Sequence, residues 1–151
     1  MNFNTIRTHI ATGGVVGYYP GGGTLMSLLT LPVIIGIYHY IPSLYFPYLI
    51  TLIVSGYHII KAIVVNYTDK DPRIIVIDEA IGMSIACWHI PLEWHYFLLA
   101  FILFRFFDIL KPLGIHAAED IGNTAAGIIA DDMLAGLYTF ILIQTIRYFL
   151  L

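Results

Sequence analysis

Three short stretches of this chain place ionisable side chains where chemistry could be done with them. Asp78 and Glu79 are adjacent, Asp131 and Asp132 are adjacent, and Arg105, Asp108 and Lys111 recur at helical spacing. Each set is embedded in an apolar run. A charged group inside a membrane segment costs about 2.5–3.5 kcal/mol on insertion scales, so such groups mark functional sites by default. A hard cation such as Mg²⁺ prefers carboxylate oxygens and brings substrate phosphate with it. Helical neighbours point about 100° apart. One acid of each pair can therefore bind metal while the other supports the ligands or acts as base. Arg105 offers a planar fork to phosphate oxygens and Lys111 a point charge. Backbone amides from Gly21 to Thr24, opening a helix, can cradle phosphate. The hydroxyls of Thr24 and Ser27 stand beside them. A water nucleophile would be activated by metal or by one of the acids. Taken alone, these residues fit metal-assisted phosphoryl transfer. They also fit an ion or proton pathway, although 151 residues leave no room for the repeats many carriers use unless the chain oligomerises.

The elements that must position these groups are membrane helices. Apolar residues make up 59% of the 151 and charged residues 11%, against roughly 45–50% and 25% in a soluble domain. A water-soluble fold of this length would leave too much of that surface exposed, and a disordered chain is excluded. The net charge is −3 and no basic stretch exists, which argues against a nucleic-acid partner. The single cysteine, Cys87, forbids an internal disulfide or a cysteine zinc cluster. A crossing helix needs about 20 apolar residues. Five segments qualify: 24–41, 44–65, 74–90, 94–110 and 125–150, with a weakly signalled amphipathic helix before Gly13. The segment 74–90 is short and carries two carboxylates, so a re-entrant layout is the alternative there. No signal peptide is read in the first 23 residues, so targeting rests on the spans. The expectation is one domain, residues 1–151, all-α, polytopic, with about five spans.

Charge orients the layout. Arg7, Lys61, Lys70, Arg73, Arg105 and Lys111 fall on one side if five helices cross, and only Arg147 falls near the other. By the positive-inside rule the first side is cytoplasmic. Asp78, Glu79, Arg105, Asp108, Asp131, Asp132 and the Gly23–Ser27 turn then lie near the cytoplasmic ends of their helices. Tyr38, Tyr40, Tyr45, Tyr48, Trp88 and Trp94 read as an aromatic belt on the outer side.

Four blocks of the sequence resemble the bacterial phosphatidylglycerophosphatase A family, in the family's order. Residues 70–83, KDPRIIVIDEAIGM, look like its D-P-x-x-I-V-x-D-E-x-x-G block. Residues 104–112, FRFFDILKP, look like F-R-x-x-D-x-x-K-P, and residues 127–136, GIIADDMLAG, look like G-I-x-x-D-D-x-x-A-G. Residues 23–28, GTLMSL, are similar to P-G-T-x-G-S-L. The resemblance implies an integral enzyme of the bacterial inner membrane, with its site facing the cytoplasm. Such an enzyme hydrolyses phosphatidylglycerophosphate with Mg²⁺ to phosphatidylglycerol and inorganic phosphate, in phospholipid biosynthesis. It implies metal-binding and catalytic roles for Asp78, Glu79, Asp131 and Asp132, and a metal or Arg105-orienting role for Asp108. Gly23, Thr24, Ser27, Arg105 and Lys111 would hold the phosphate. Departures are Gly22 for Pro, Met26 for Gly, Gly114 for Pro, Thr124 and Ala125 for Gly, and Glu119 for Asp. They bear on the shape of the phosphate cradle rather than on any of these acids and bases. A phosphatase for another lipid phosphate is the neighbouring alternative, and a non-enzymatic ion pathway or a degenerate family member the distant one.

The six histidines show no metal-ligand spacing, and His116 alone follows the Lys111-Pro112 turn closely enough to approach substrate. Cys87 reads as a packing residue. Asp69 reads as a turn residue and Asp71-Pro72 as a helix cap.

Overall fold

The computed structural model describes residues 3–67, 72–112 and 124–150, without the side chains of Thr124 and Leu150. Asp69, Lys70, Asp71, Gly114, His116 and Glu119, and the side chain of Thr124, lie outside that description. The described residues are helical with no strand: α1 (Phe3–Ala11), α2 (Gly22–Tyr40), α3 (Tyr45–Ile63), α4 (Ile77–Ala86), α5 (Trp94–Leu110) and α6 (Thr124–Leu150). Short 3₁₀ turns at Val16–Tyr18, Pro42–Leu44 and Val64–Asn66 join them.

Among the described residues three helical stretches are long and apolar enough to cross a membrane: Gly22–Tyr40, Pro42–Asn66 and Ala125–Phe149. They coincide with three of the five expected spans. The fourth, α5, has 17 residues, about 25 Å at 1.5 Å per residue. The expected span 74–90 is different. Only Ile77–Ala86 is helical there, about 15 Å, or half a hydrocarbon core. All of α4 except Glu79 is buried. It is enclosed by protein, packing most extensively on α6, then α2, α3 and α5. Backbone at membrane depth is tolerated where protein surrounds it.

A short helix ending inside a protein leaves carbonyls to satisfy, and this explains the tyrosines. Tyr45 Oη donates to the Ser84 carbonyl at 2.6 Å, and Tyr38 Oη donates to the Cys87 carbonyl at 2.9 Å. Tyr48 Oη lies 3.1 Å from Ser84 Oγ, and the Tyr38 and Tyr45 rings stack at 4.4 Å. These three tyrosines meet the C-terminal end of α4. Of the expected belt, Tyr40, Trp88 and Trp94 are exposed.

Two apolar clusters hold the bundle. One gathers Ile34, Tyr45, Met83, Phe104 and Ile143; the other gathers Ile60, Ile63, Ile77, Ile81 and Ile129. Lipid tails are as apolar as leucine, so helices in a membrane associate by close packing, and small residues permit it. Gly82 and Gly136 do this between α4 and α6. A Cβ at Gly82 would stand 2.6 Å from both the Asp132 carbonyl and the Phe104 ring, and one at Gly136 would overlap the Gly82 carbonyl. That contact fixes the depth of Asp132 relative to Asp78 and Glu79.

Candidate active site

The chemical groups sit at helix ends that meet. Asp78 and Glu79 occupy the first turn of α4, and Asp131 and Asp132 lie in the second and third turns of α6. Arg105 and Asp108 occupy the last two turns of α5. Lys111 follows them with φ 45° and ψ 47°, a left-handed conformation that ends the helix. That conformation is uncommon for a residue with a Cβ, and Pro112 behind it bars continuation of the helix. The chain turns there, and Lys111 Nζ meets Asp131 Oδ2 at 2.6 Å. Gly21, at φ 76°, caps the start of α2. The first amides of that helix have no carbonyl partner within it.

All these elements border one cavity of about 620 Å³. Its lining includes Gly23, Thr24, Asp78, Glu79, Arg105, Asp108, Lys111, Asp131 and Asp132. Every candidate residue from the sequence is present except Ser27. That side chain is fully buried and its hydroxyl donates to the Gly23 carbonyl at 2.9 Å, a bond within its own helix. A larger cavity, about 730 Å³, lies around His89 and Arg147, and no carboxylate of the described residues lines it.

Within the site the acids divide into two groups. Asp78, Glu79 and Asp132 each present a carboxylate oxygen, and these oxygens lie within 4.8 Å of one another. Asp78 and Asp132 are only 6% and 3% exposed, and Glu79 Oε2 is buried with no hydrogen-bond partner among the described residues. Carboxylates so close repel one another unless a cation or protons intervene. The other two acids are matched to cations. Asp108 Oδ2 is 2.6 Å from Arg105 Nη1, one helical turn away, and Asp131 Oδ2 is held by Lys111. Asp131 Oδ1 also accepts the Asp132 amide at 3.0 Å. Five carboxylates thus face three cations, Arg73, Arg105 and Lys111, across the cavity. A hard divalent cation fits that donor set in chemistry and in charge.

Glycine makes room for the trio. A Cβ at Gly23 would fall on Glu79 Oε1, 2.8 Å from its Cδ. A side chain at residue 23 would displace the Glu79 carboxylate from where it now sits. Gly17 plays the same part against the Ile74 carbonyl.

Sequence reasoning missed part of the lining. Arg73 reads from sequence as an orienting charge and Tyr18-Tyr19-Pro20 drew no site reading, yet all four border the cavity. The available signal was position: one lies just before the Asp78-Glu79 pair and the other just before the glycines.

The comparisons agree on a family. The chain is 42% identical over 82 residues to a Bacteroides thetaiotaomicron protein provisionally named a phosphatidylinositol-3-phosphatase; the match covers 52% of this chain and 51% of the other. It is 45% identical over 78 residues to a phosphatidylglycerophosphatase A of Haemophilus influenzae, covering 51% and 48% of the two chains. The chain thus spans about half the length of these curated relatives. No solved structure matches it. The sequence profile of the phosphatidylglycerophosphatase A family matches residues 9–147, nearly the whole chain, and the protein belongs to that family.

Proposed function

We propose that this protein is a Mg²⁺-dependent lipid phosphatase that hydrolyses phosphatidylglycerophosphate to phosphatidylglycerol and inorganic phosphate. The observation that carries the reading is the convergence of Asp78, Glu79 and Asp132 beside Arg105 and Lys111 in one cavity. Family membership and the name of the Haemophilus relative support the substrate.

In this reading Asp78, Glu79 and Asp132 hold Mg²⁺. When bound, the ion neutralises phosphate charge and lowers the pKa of water near it. Arg105, oriented by Asp108, forks onto two phosphate oxygens, and Lys111 adds a point charge. The Gly23 and Thr24 amides at the positive end of α2 donate to a third oxygen. Asp131 keeps Lys111 turned inward. A carboxylate of the acidic group takes the proton of the attacking water. Oxygen attacks phosphorus in line, the bond to the headgroup oxygen breaks, and that oxygen takes the proton back from the carboxylate and leaves as the alcohol.

The layout fitting this chemistry has five crossings or re-entrant segments, in a bacterial inner membrane, with the cavity at the cytoplasmic face. The charge distribution supports that orientation. The Bacteroides relative's name favours one second reading, a phosphatase for an inositol phospholipid carrying a 3-phosphate. A substrate panel decides between them. Purified protein in detergent is given phosphatidylglycerophosphate, phosphatidylinositol 3-phosphate and phosphatidic acid, and phosphate release is measured. The highest kcat/KM is expected on phosphatidylglycerophosphate. A preference for the inositol lipid would replace the substrate, and no release from any would remove the activity.

A further inference from the structure

Three cations border the cavity, and two of them are already matched. Arg105 is paired with Asp108 and Lys111 with Asp131. Arg73 lines the same cavity, is exposed, and makes no hydrogen bond or ion pair among the described residues. It sits on the Pro72–Val76 segment leading into α4. That segment is tied down: the Val76 amide donates to the Ala11 carbonyl at 2.9 Å, and Gly17 packs against the Ile74 carbonyl. Among the described residues Arg73 is thus an unmatched charge, on a backbone segment held at Ile74 and Val76.

Depth separates it from the other groups. Asp78, Asp131 and Asp132 are buried, and the Arg105 side chain is 15% exposed. A phosphate reaching those acids must leave the rest of its lipid trailing toward the mouth. Both lipids considered above carry a second phosphate there, the diester that joins the headgroup to diacylglycerol. Resting on the phosphatase reading, we infer that Arg73 binds this diester phosphate and makes the enzyme selective for headgroups bearing two phosphates over a simple phosphomonoester lipid. An arginine fork suits a diester's two free oxygens, and Arg73 borders the same cavity as the acids.

Arg73→Ala and Arg73→Lys are the test, with unfolding temperature in detergent measured to establish that each folds. On phosphatidylglycerophosphate and on phosphatidylinositol 3-phosphate, Arg73→Ala should lower kcat/KM by about tenfold to a hundredfold, the range for a hydrogen bond to a charged group. The loss should appear in KM rather than kcat. Arg73→Lys should restore part of it. The kcat/KM ratio of either lipid to phosphatidic acid should fall by the same factor. Product inhibition gives a second reading: the Ki of phosphatidylglycerol, which carries only the diester, should rise while that of inorganic phosphate holds. An equal loss on phosphatidic acid, a loss confined to kcat, or an unchanged ratio would overturn the assignment while leaving the phosphatase intact. Failure of the wild type on every lipid would overturn the underlying reading and this inference with it.

Discussion

A methyl group at Gly23 tests how closely α2 and α4 must meet. In Gly23→Ala the new carbon would lie 2.8 Å from Glu79 Cδ and on top of its Oε1. Carbon atoms rest at about 3.5–4.0 Å, so the carboxylate must retreat by about 1 Å. The helix itself should tolerate the change, since alanine is a better helix former than glycine. The cost falls on the acidic trio, whose oxygens converge within 4.8 Å. A misplacement of about 1 Å in such a site costs about a hundredfold in rate. Gly36→Ala is the control, because a Cβ there meets nothing within 4 Å. The assay is phosphate release against Mg²⁺ concentration, beside thermal unfolding. Gly23→Ala should unfold at or above the wild-type temperature and turn over about a hundredfold more slowly. Gly36→Ala should match the wild type in rate. Wild-type turnover and Mg²⁺ dependence in Gly23→Ala would refute the reasoning.

Other changes have separable outcomes. Mg²⁺ should raise the unfolding temperature of the wild type by mass action and leave Asp132→Asn unmoved, as differential scanning in detergent would show. Arg105→Lys keeps the charge and loses the fork; its KM for the lipid should rise at least several-fold while the Mg²⁺ concentration for half-maximal rate changes little. Gly82→Ala would drive a methyl to 2.6 Å from the Asp132 carbonyl and the Phe104 ring; α4 and α6 must part, and the variant should be recovered folded in much lower yield. Tyr45→Phe removes the 2.6 Å bond to the Ser84 carbonyl and should cost about 0.6 kcal/mol, the average for such bonds in a membrane bundle, read by denaturant titration.

Much of the candidate site was legible because charge is expensive in an apolar run. Asp78, Glu79, Arg105, Asp108, Lys111, Asp131 and Asp132 declared themselves that way, and all seven border one cavity. The long helices were legible for the same reason, with ends within two residues for α2, α3 and α6. The nature of α4 was not. Its apolar run is as hydrophobic as a span, and hydropathy cannot distinguish lipid from enclosing protein. The bonds of Tyr38, Tyr45 and Tyr48 to its last residues were not legible either, since they depend on where α4 stops. Ser27 matched a motif, but the motif does not reveal that its hydroxyl closes on Gly23 within the helix. Arg73 was counted as a topological charge because only the fold brings it beside the Gly17–Gly23 loop.

The pairing of acids also required three dimensions. The 100° between helical neighbours suggests that one acid of each pair binds metal, without saying which. The fold groups Asp132 with Asp78 and Glu79 and leaves Asp131 to Lys111. The 100° between helical neighbours separates the two aspartates, and the Gly82–Gly136 contact sets which one faces α4.

That grouping makes one measurement decisive: inorganic phosphate release from phosphatidylglycerophosphate by purified protein, with Mg²⁺ and with chelator, for the wild type and Asp132→Asn. Release that requires Mg²⁺ in the wild type and vanishes in a folded Asp132→Asn is the predicted result. Release by the wild type that survives chelation, or that continues in Asp132→Asn, would contradict the assignment of Asp78, Glu79 and Asp132 to a metal-dependent phosphatase.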